Sequence, residues 1–282
     1  MKNLVIGASG QVGKCLMQLL GSGAIGTGRS RATGKLLPLD LADAGSVRRL
    51  IREVKPRFIH VPGGVTAVDW SESNEELARR ICVDGTVAVR EAAEAVGAHV
   101  VFFSTDYVFS GKSGPYGEGD PPDPISAYGR VKAEAEKAAG PRFTVLRTSM
   151  VYSDDPDSKN FHNFVRDFLR EGKEVRAFSD QAGNPTYAPS LAGAALLAME
   201  YRPAGIVHAC GPEVLTRFEF ALRVARAYGL PEDKVKPVTS EDMPMPAARP
   251  KQGGLRIGTV SEKYRTASAD EALSEMSKTK PR

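Results

Sequence analysis

Leu4-Val5-Ile6-Gly7-Ala8-Ser9-Gly10-Gln11-Val12-Gly13 is the stretch on which the fold turns. It starts as a short apolar strand and passes through glycines. Val12, Leu16, Leu19 and Leu20 then recur at helical spacing. Glycine lets such a strand-to-helix turn be tight and lets backbone amides approach a pyrophosphate, while the helix N-terminus adds partial positive charge. The spacing is G-x-x-G-x-x-G, and a glycine triplet alone would mean little. Between a strand and a helix, Gly7, Gly10 and Gly13 predict a dinucleotide site.

The alternation continues outward. Phe58–Val61 precedes a helical pattern through Leu77, Ile81, Val87 and Val89. Residues 100–103 precede a loop and a helix near residues 128–139, and Val145-Leu146 follows. Strands alternating with helices imply βαβ units with right-handed crossovers. The expected fold is therefore α/β, a Rossmann-like doubly wound parallel sheet. Beyond Thr148 the rhythm loosens. Residues 152–160 read as loop, 161–169 as a helix ended by Gly172, 191–199 as a buried helix and 206–210 as a strand. Residues 231–254 read as loop, and the last dozen as a polar end that frays. The expected division is a dinucleotide-binding domain over 1–150, to which 188–211 returns. A smaller, mainly C-terminal substrate-binding lid is expected from 151–187 and 212–282.

Composition narrows the class. The chain has 282 residues, 41% hydrophobic and 26% charged, which excludes a disordered or collagenous chain. Cys15, Cys82 and Cys210 form neither a disulfide framework nor a zinc cluster and suit a reducing compartment. His60, His99, His162 and His208 lack ligand spacing, and Asp154, Asp155 and Asp157 read as an acidic loop, so no metal is expected. No apolar run reaches the ~20 residues of a membrane span, and the N-terminal run is too short for a signal peptide. A cytoplasmic protein that meets neither membrane nor nucleic acid is expected: the net charge is +4 and its basic residues are dispersed.

An NAD site needs an acid near the end of the second strand for the ribose 2′-hydroxyl. Residues 21–39 contain no Asp or Glu but do contain Arg29, Arg31 and Lys35, with Ser30 between. A 2′-phosphate suits Arg29, helped by Ser30 and Arg31, so NADP is expected, although a solvated basic loop would look the same. Asp40 is placed near the adenine edge, which spacing alone does not show. Tyr128 and Lys132, four residues apart, share a helix face. Ser126 is a plausible N-cap. A lysine ammonium lowers the pKa of a nearby phenol, fitting the pair to protonate a carbonyl oxygen as a nicotinamide delivers hydride. Ser104-Thr105-Asp106-Tyr107 follows a strand, at the sheet end where ligands bind, though strand-to-loop turns favour the same residues.

Together these segments resemble the extended short-chain dehydrogenase/reductases, and within them the dTDP-4-dehydrorhamnose reductase group. Further matches are Tyr116-Gly117-Glu118, Arg147-Thr148-Ser149, Asp180-Gln181-Ala182-Gly183-Asn184-Pro185-Thr186 and Ala248-Arg249-Pro250-Lys251. The resemblance implies NADPH-dependent reduction of a 4-keto nucleotide-deoxysugar, typically dTDP-4-dehydro-L-rhamnose. It makes Tyr128 the proton donor, Lys132 its modulator and the holder of the nicotinamide ribose, and Thr105 the residue that orients the carbonyl. It assigns Gly7, Gly10, Gln11, Val12, Gly13, Arg29, Asp40, Leu41, Pro62 and Gly63 to the cofactor. Thr105, Asp106, Tyr107, Asn160, Thr186 and Arg249 fall to the sugar nucleotide, and a homodimer is implied. Four places depart from the group: Pro62-Gly63 stands for Ala-Ala, Cys82 for an active-site Asn, Met150 for a Trp, and Leu255-Arg256 for Leu-Asp. Two other readings stay open. The beta subunit of methionine adenosyltransferase resembles the same group and implies a non-catalytic NADP-binding regulatory role. A sugar-nucleotide epimerase or dehydratase is the third, against which stands Tyr107 where dehydratases place a Glu.

Overall fold

A computed structural model describes residues 2–29, 36–258 and 261–278. The first half runs β1 (Asn3–Ile6), α1 (Gln11–Leu20), β2 (Ala24–Gly28), β3 (Leu37–Pro38), α2 (Ala44–Val54) and β4 (Phe58–Val61). It continues with α3 (Val68–Ser73), α4 (Glu75–Arg79), α5 (Gly85–Val96), β5 (His99–Thr105), α6 (Ala127–Ala139) and β6 (Thr144–Thr148). The second half holds β7 (Val151–Tyr152), α7 (Phe161–Arg170), β8 (Val175–Phe178), β9 (Ala182–Gly183), β10 (Thr186–Tyr187), α8 (Ala188–Tyr201) and β11 (Gly205–His208). β12 (Leu215–Thr216), α9 (Arg217–Ala227), β13 (Val235–Val238) and α10 (Ala269–Lys278) complete it.

Seven strands form one parallel sheet in the order β11-β6-β5-β4-β1-β2-β3, the doubly wound α/β arrangement expected from the sequence. Its strands are apolar on both faces because both are covered. Side chains alternate as the pleat requires. Leu4, Ile6, Val100, Phe102 and Val145 pack with Val47 and Ile51 of α2 and Val89 of α5. Val5, Val101 and Leu146 face the other way, onto Leu16 of α1 and Leu191 and Ala195 of α8. The strand order reverses between β1 and β4, the switch point where open α/β sheets leave a crevice at the strand carboxyl ends.

A second apolar cluster gathers Val165 and Leu169 of α7, Phe220 and Val224 of α9, Val175 of β8, Val235 of β13 and Leu273 of α10. Two sequence expectations change here. Within 231–254, Val235–Val238 pairs with Val175–Phe178 as a parallel strand. Near the C-terminus the chain does not fray from residue 271: α10 continues to Lys278, anchored by buried Ala272, Leu273 and Met276 on one face.

Candidate functional site

The glycine loop is shaped by close approach. Gly7 has φ +96°, and a Cβ there would lie 2.5 Å from Gly63 Cα in the loop after β4. A Cβ on Gly13 would lie 2.1 Å from the Gly7 carbonyl oxygen. Missing side chains thus let β1, α1 and the β4 loop close up at the switch point. A cleft of about 600 Å³ opens there, lined by Ser9, Gly10, Gln11, Val12, Gly13, Pro62 and Gly63. Thr105, Tyr128 and Lys132 line the same cleft, as do Asn160 and Met150.

Each arrives on a defined element. Ser126, in extended backbone, caps α6 by accepting from Gly129 N at 3.2 Å, which sets Tyr128 in the first turn and Lys132 one turn on. Lys132 Nζ donates to the Phe103 carbonyl at 2.7 Å. Thr105 ends β5, and its Oγ1 accepts from Tyr107 N at 3.2 Å. The Tyr128 ring meets the Tyr107 ring edge-on, centroids 5.7 Å apart. The sequence leads one to expect Lys132 to lower the Tyr128 pKa. Instead burial pushes the phenol above its ordinary value, the nearby Cys82 thiol adds to this, and only the Thr105 hydroxyl facing the phenol acts the other way. Desolvation is the largest of these effects, and Lys132 directs its ammonium to the Phe103 carbonyl. A protonated phenol is the form a proton donor needs.

The cleft's far wall is tied to α1. Gln11 Oε1 accepts from Ser153 Oγ and Ser158 Oγ, both at 3.1 Å, and Gln11 Nε2 donates to the Val151 carbonyl at 3.2 Å. Asn160 caps α7 by accepting from Asn163 N and donates to the Ser153 carbonyl at 2.9 Å.

Other expected residues lie off the cleft. Asp106 is buried behind Thr105, where its carboxylate accepts from Ser149 Oγ at 2.6 Å; burial raises its pKa. Tyr107 reaches the site only through the Tyr128 ring. Thr186 is fully buried and donates to the Asn184 carbonyl at 3.0 Å. Arg249 clamps Asp69 bidentately at 2.6 and 2.8 Å, pinning the 247–249 segment to α3. Arg29 and Asp40 are exposed near the ends of β2 and β3, and Leu41 lines a small cavity behind Lys132. Ser30, Arg31 and Lys35 lie outside the described residues.

Several cleft residues escaped the sequence reading, Arg217 and Lys14 among them. Arg217 opens α9, its guanidinium 5.2 Å from the centre of the Phe161 ring. The signal was a capping box: Thr216 Oγ1 accepts from Glu219 N at 3.1 Å while the Glu219 carboxylate accepts from Thr216 N at 2.7 Å. Ser104 and Thr148 also line the cleft, and their buried hydroxyls have no partner among the described residues. Orphaned hydroxyls beside a glycine cradle fit a polar cofactor such as a nicotinamide dinucleotide.

The profile of the RmlD substrate binding domain family matches residues 1–279. The chain belongs to that family. Among its relatives, the dTDP-4-dehydrorhamnose reductase of Streptomyces griseus is 35% identical over 269 residues, covering 89% of this chain and 84% of its own. Methionine adenosyltransferase 2 subunit beta of Xenopus tropicalis is 32% identical over 251 residues, covering 84% and 75%. The crystal structure of dTDP-4-dehydrorhamnose reductase from Bacillus anthracis str. Ames in complex with NADP superposes with a TM-score of 0.89 at 28% identity, covering 98% of each chain. RmlD-like chains thus include named reductases and a named subunit of another enzyme. No helix of this one, among the described residues, is long and apolar enough to cross a membrane.

Proposed function

We propose that this protein is an NADPH-dependent reductase of a 4-keto deoxysugar carried on a nucleotide, with dTDP-4-dehydro-L-rhamnose as substrate and dTDP-L-rhamnose as product. The observation that carries this reading is the meeting of Tyr128, Thr105 and Lys132 in the cleft that the glycine loop also lines. Residues 7–13 and the N-terminus of α1 hold the cofactor pyrophosphate, with Pro62 and Gly63 opposite. Arg29 meets the 2′-phosphate and Lys132 the nicotinamide ribose. When bound, NADPH supplies the hydride that reduces the carbonyl carbon. Tyr128 gives its phenolic proton to the carbonyl oxygen, and Thr105 fixes that oxygen with a hydrogen bond. Asn160 and Arg217 lie on the wall facing the sugar nucleotide, Arg217 suited to its diphosphate.

The test follows loss of NADPH absorbance with dTDP-4-dehydro-L-rhamnose, for the native protein and Tyr128→Phe. Turnover that vanishes in the variant supports the reading, and a native protein that binds NADPH but turns over neither this nor related ketosugars sinks it. The second reading, a regulatory subunit without turnover, draws on the 32% identity to the methionine adenosyltransferase subunit. Copurification with a partner enzyme, together with absent turnover, would favour it.

A further inference from the structure

A second polar pocket, of about 360 Å³, lies at the opposite end of the sheet. Its lining comes from the residues that lead into four neighbouring strands: Arg57 before β4, Gly97 and His99 at the start of β5, Arg142 before β6 and Arg202 before β11. The cleft sits at the carboxyl ends of the same strands. β5 is seven residues long, so the two sites stand ~20 Å apart at about 3.3 Å per residue.

Three arginines converge here, and none of the lining residues is acidic. The guanidinium of Arg142 rests over the Phe143 ring at 5.6 Å, and those of Arg57 and Arg202 over the Phe58 ring at 5.4 and 5.2 Å. Among the described residues neither Arg142 nor Arg202 forms an ion pair. The ring contacts of Arg142 and Arg202 leave the N–H donors of these two groups available to a ligand. His99 is oriented as well. Thr144 Oγ1 donates to the Pro203 carbonyl at 2.5 Å, so it accepts from His99 Nε2 at 3.1 Å. Burial first, and then the charges of Arg202 and Arg142, hold the imidazole down to about 4, so the ring is neutral at pH 7 and the positive charge of the pocket is that of its arginines.

We propose that this pocket binds a small phosphate-bearing anion, one carrying a pyrophosphate or phosphate ester, at a site separate from the cleft. Guanidinium groups match phosphate oxygens bidentately, and a multivalent anion between Arg142 and Arg202 would offset their like charges. The occupant's source is either free pyrophosphate or the phosphate group of a nucleotide or sugar phosphate.

The test titrates the full chain calorimetrically with inorganic pyrophosphate, ADP or glucose 1-phosphate, in each case without NADP and with the cleft saturated by it. The four imidazoles are followed by NMR in the same samples. Binding of at least one anion, a shift of the His99 signals, and affinity weakened at least tenfold in Arg142→Gln/Arg202→Gln are expected. Which anion binds tightest distinguishes the sources. Failure of all three anions to bind, in samples with and without NADP, overturns the proposal, as does binding that leaves the His99 signals unmoved or that the double variant leaves unchanged. Should the double variant not fold, the wild-type His99 signals decide: anions that leave them unmoved exclude this pocket.

Discussion

Lys14 Nζ on α1 holds Asp155 at 2.9 Å and Asp157 at 3.0 Å, so the helix that begins at the glycine loop is bridged across the cleft mouth to the loop before α7. Gln11 reinforces the same bridge through Ser153 and Ser158. Lys14 is 39% exposed and Asp157 82%, so solvent screens the pair and its share of stability is at most about 1 kcal/mol. The two carboxylates raise the Lys14 pKa, so its contribution is fully present below the ordinary lysine value of 10.5 and is lost as pH rises from there through the raised one. Lys14→Met should therefore barely change Tm at neutral pH. Its effect should appear in the rate of NADPH release, followed by nucleotide fluorescence: faster in the variant, and less sensitive to added salt than in the native protein.

Tyr128 makes a sharper prediction about protonation. Burial raises its pKa, so the phenol stays neutral through the physiological range. The absorbance difference between native protein and Tyr128→Phe should show no tyrosinate appearing below about pH 10. A difference band growing in near pH 7 would mean that Lys132 dominates after all. Turnover in Tyr128→Phe should fall by roughly 10²- to 10⁴-fold, the usual contribution of a positioned proton donor, with NADPH affinity little changed.

Gly13→Ala tests the closure of the loop. The new Cβ would meet the Gly7 carbonyl oxygen, part of the backbone, so α1 must move away from β1. Overpacking of this kind costs about 1–3 kcal/mol. The expected result is a Tm lower by roughly 2–10 °C, together with loss of NADPH binding.

Acid should weaken the fold through its histidines. His60 and His162 are fully buried, and burial lowers both from 6.5 to about 4. Each is buried neutral, so its contribution is whole above pH 6.5 and is lost progressively as pH falls towards 4. The loss is up to about 3 kcal/mol per histidine. Urea midpoints at pH 7 and pH 4.5 should differ clearly in the native protein, and by less in His162→Gln.

The strand-glycine-helix opening was legible because close backbone approach at a switch point leaves glycine as the residue that fits, and the pleat wrote itself into Leu4, Val5 and Ile6. Tyr128 and Lys132 were legible because a helix brings residues four apart together. The second apolar cluster was harder to read. Val235-Lys236-Pro237-Val238 hides a strand behind a proline, tolerated because among the described residues β13 pairs with β8 alone. The sequence around α10 is polar, and its anchoring residues occupy one narrow face. Arg249 and Thr186 carry family motifs, yet here an ion pair with Asp69 and a turn around Asn184 occupy them. Such tertiary partners have no local signal.

Arg217 is the residue whose role separates substrate from cofactor. It opens α9 at the cleft, with its guanidinium against Phe161. A charge-assisted hydrogen bond to a diphosphate is worth about 1.5–3 kcal/mol, so Arg217→Gln should raise KM for the sugar nucleotide by roughly 10- to 100-fold. The Kd for NADPH should stay unchanged if the cofactor pyrophosphate sits at the N-terminus of α1, as proposed above. Arg217→Lys should recover only part of the loss, since an ammonium cannot make the paired contact. Equal weakening of NADPH and sugar nucleotide in Arg217→Gln would place the guanidinium on the cofactor instead, and would move the sugar diphosphate to the other wall of the cleft.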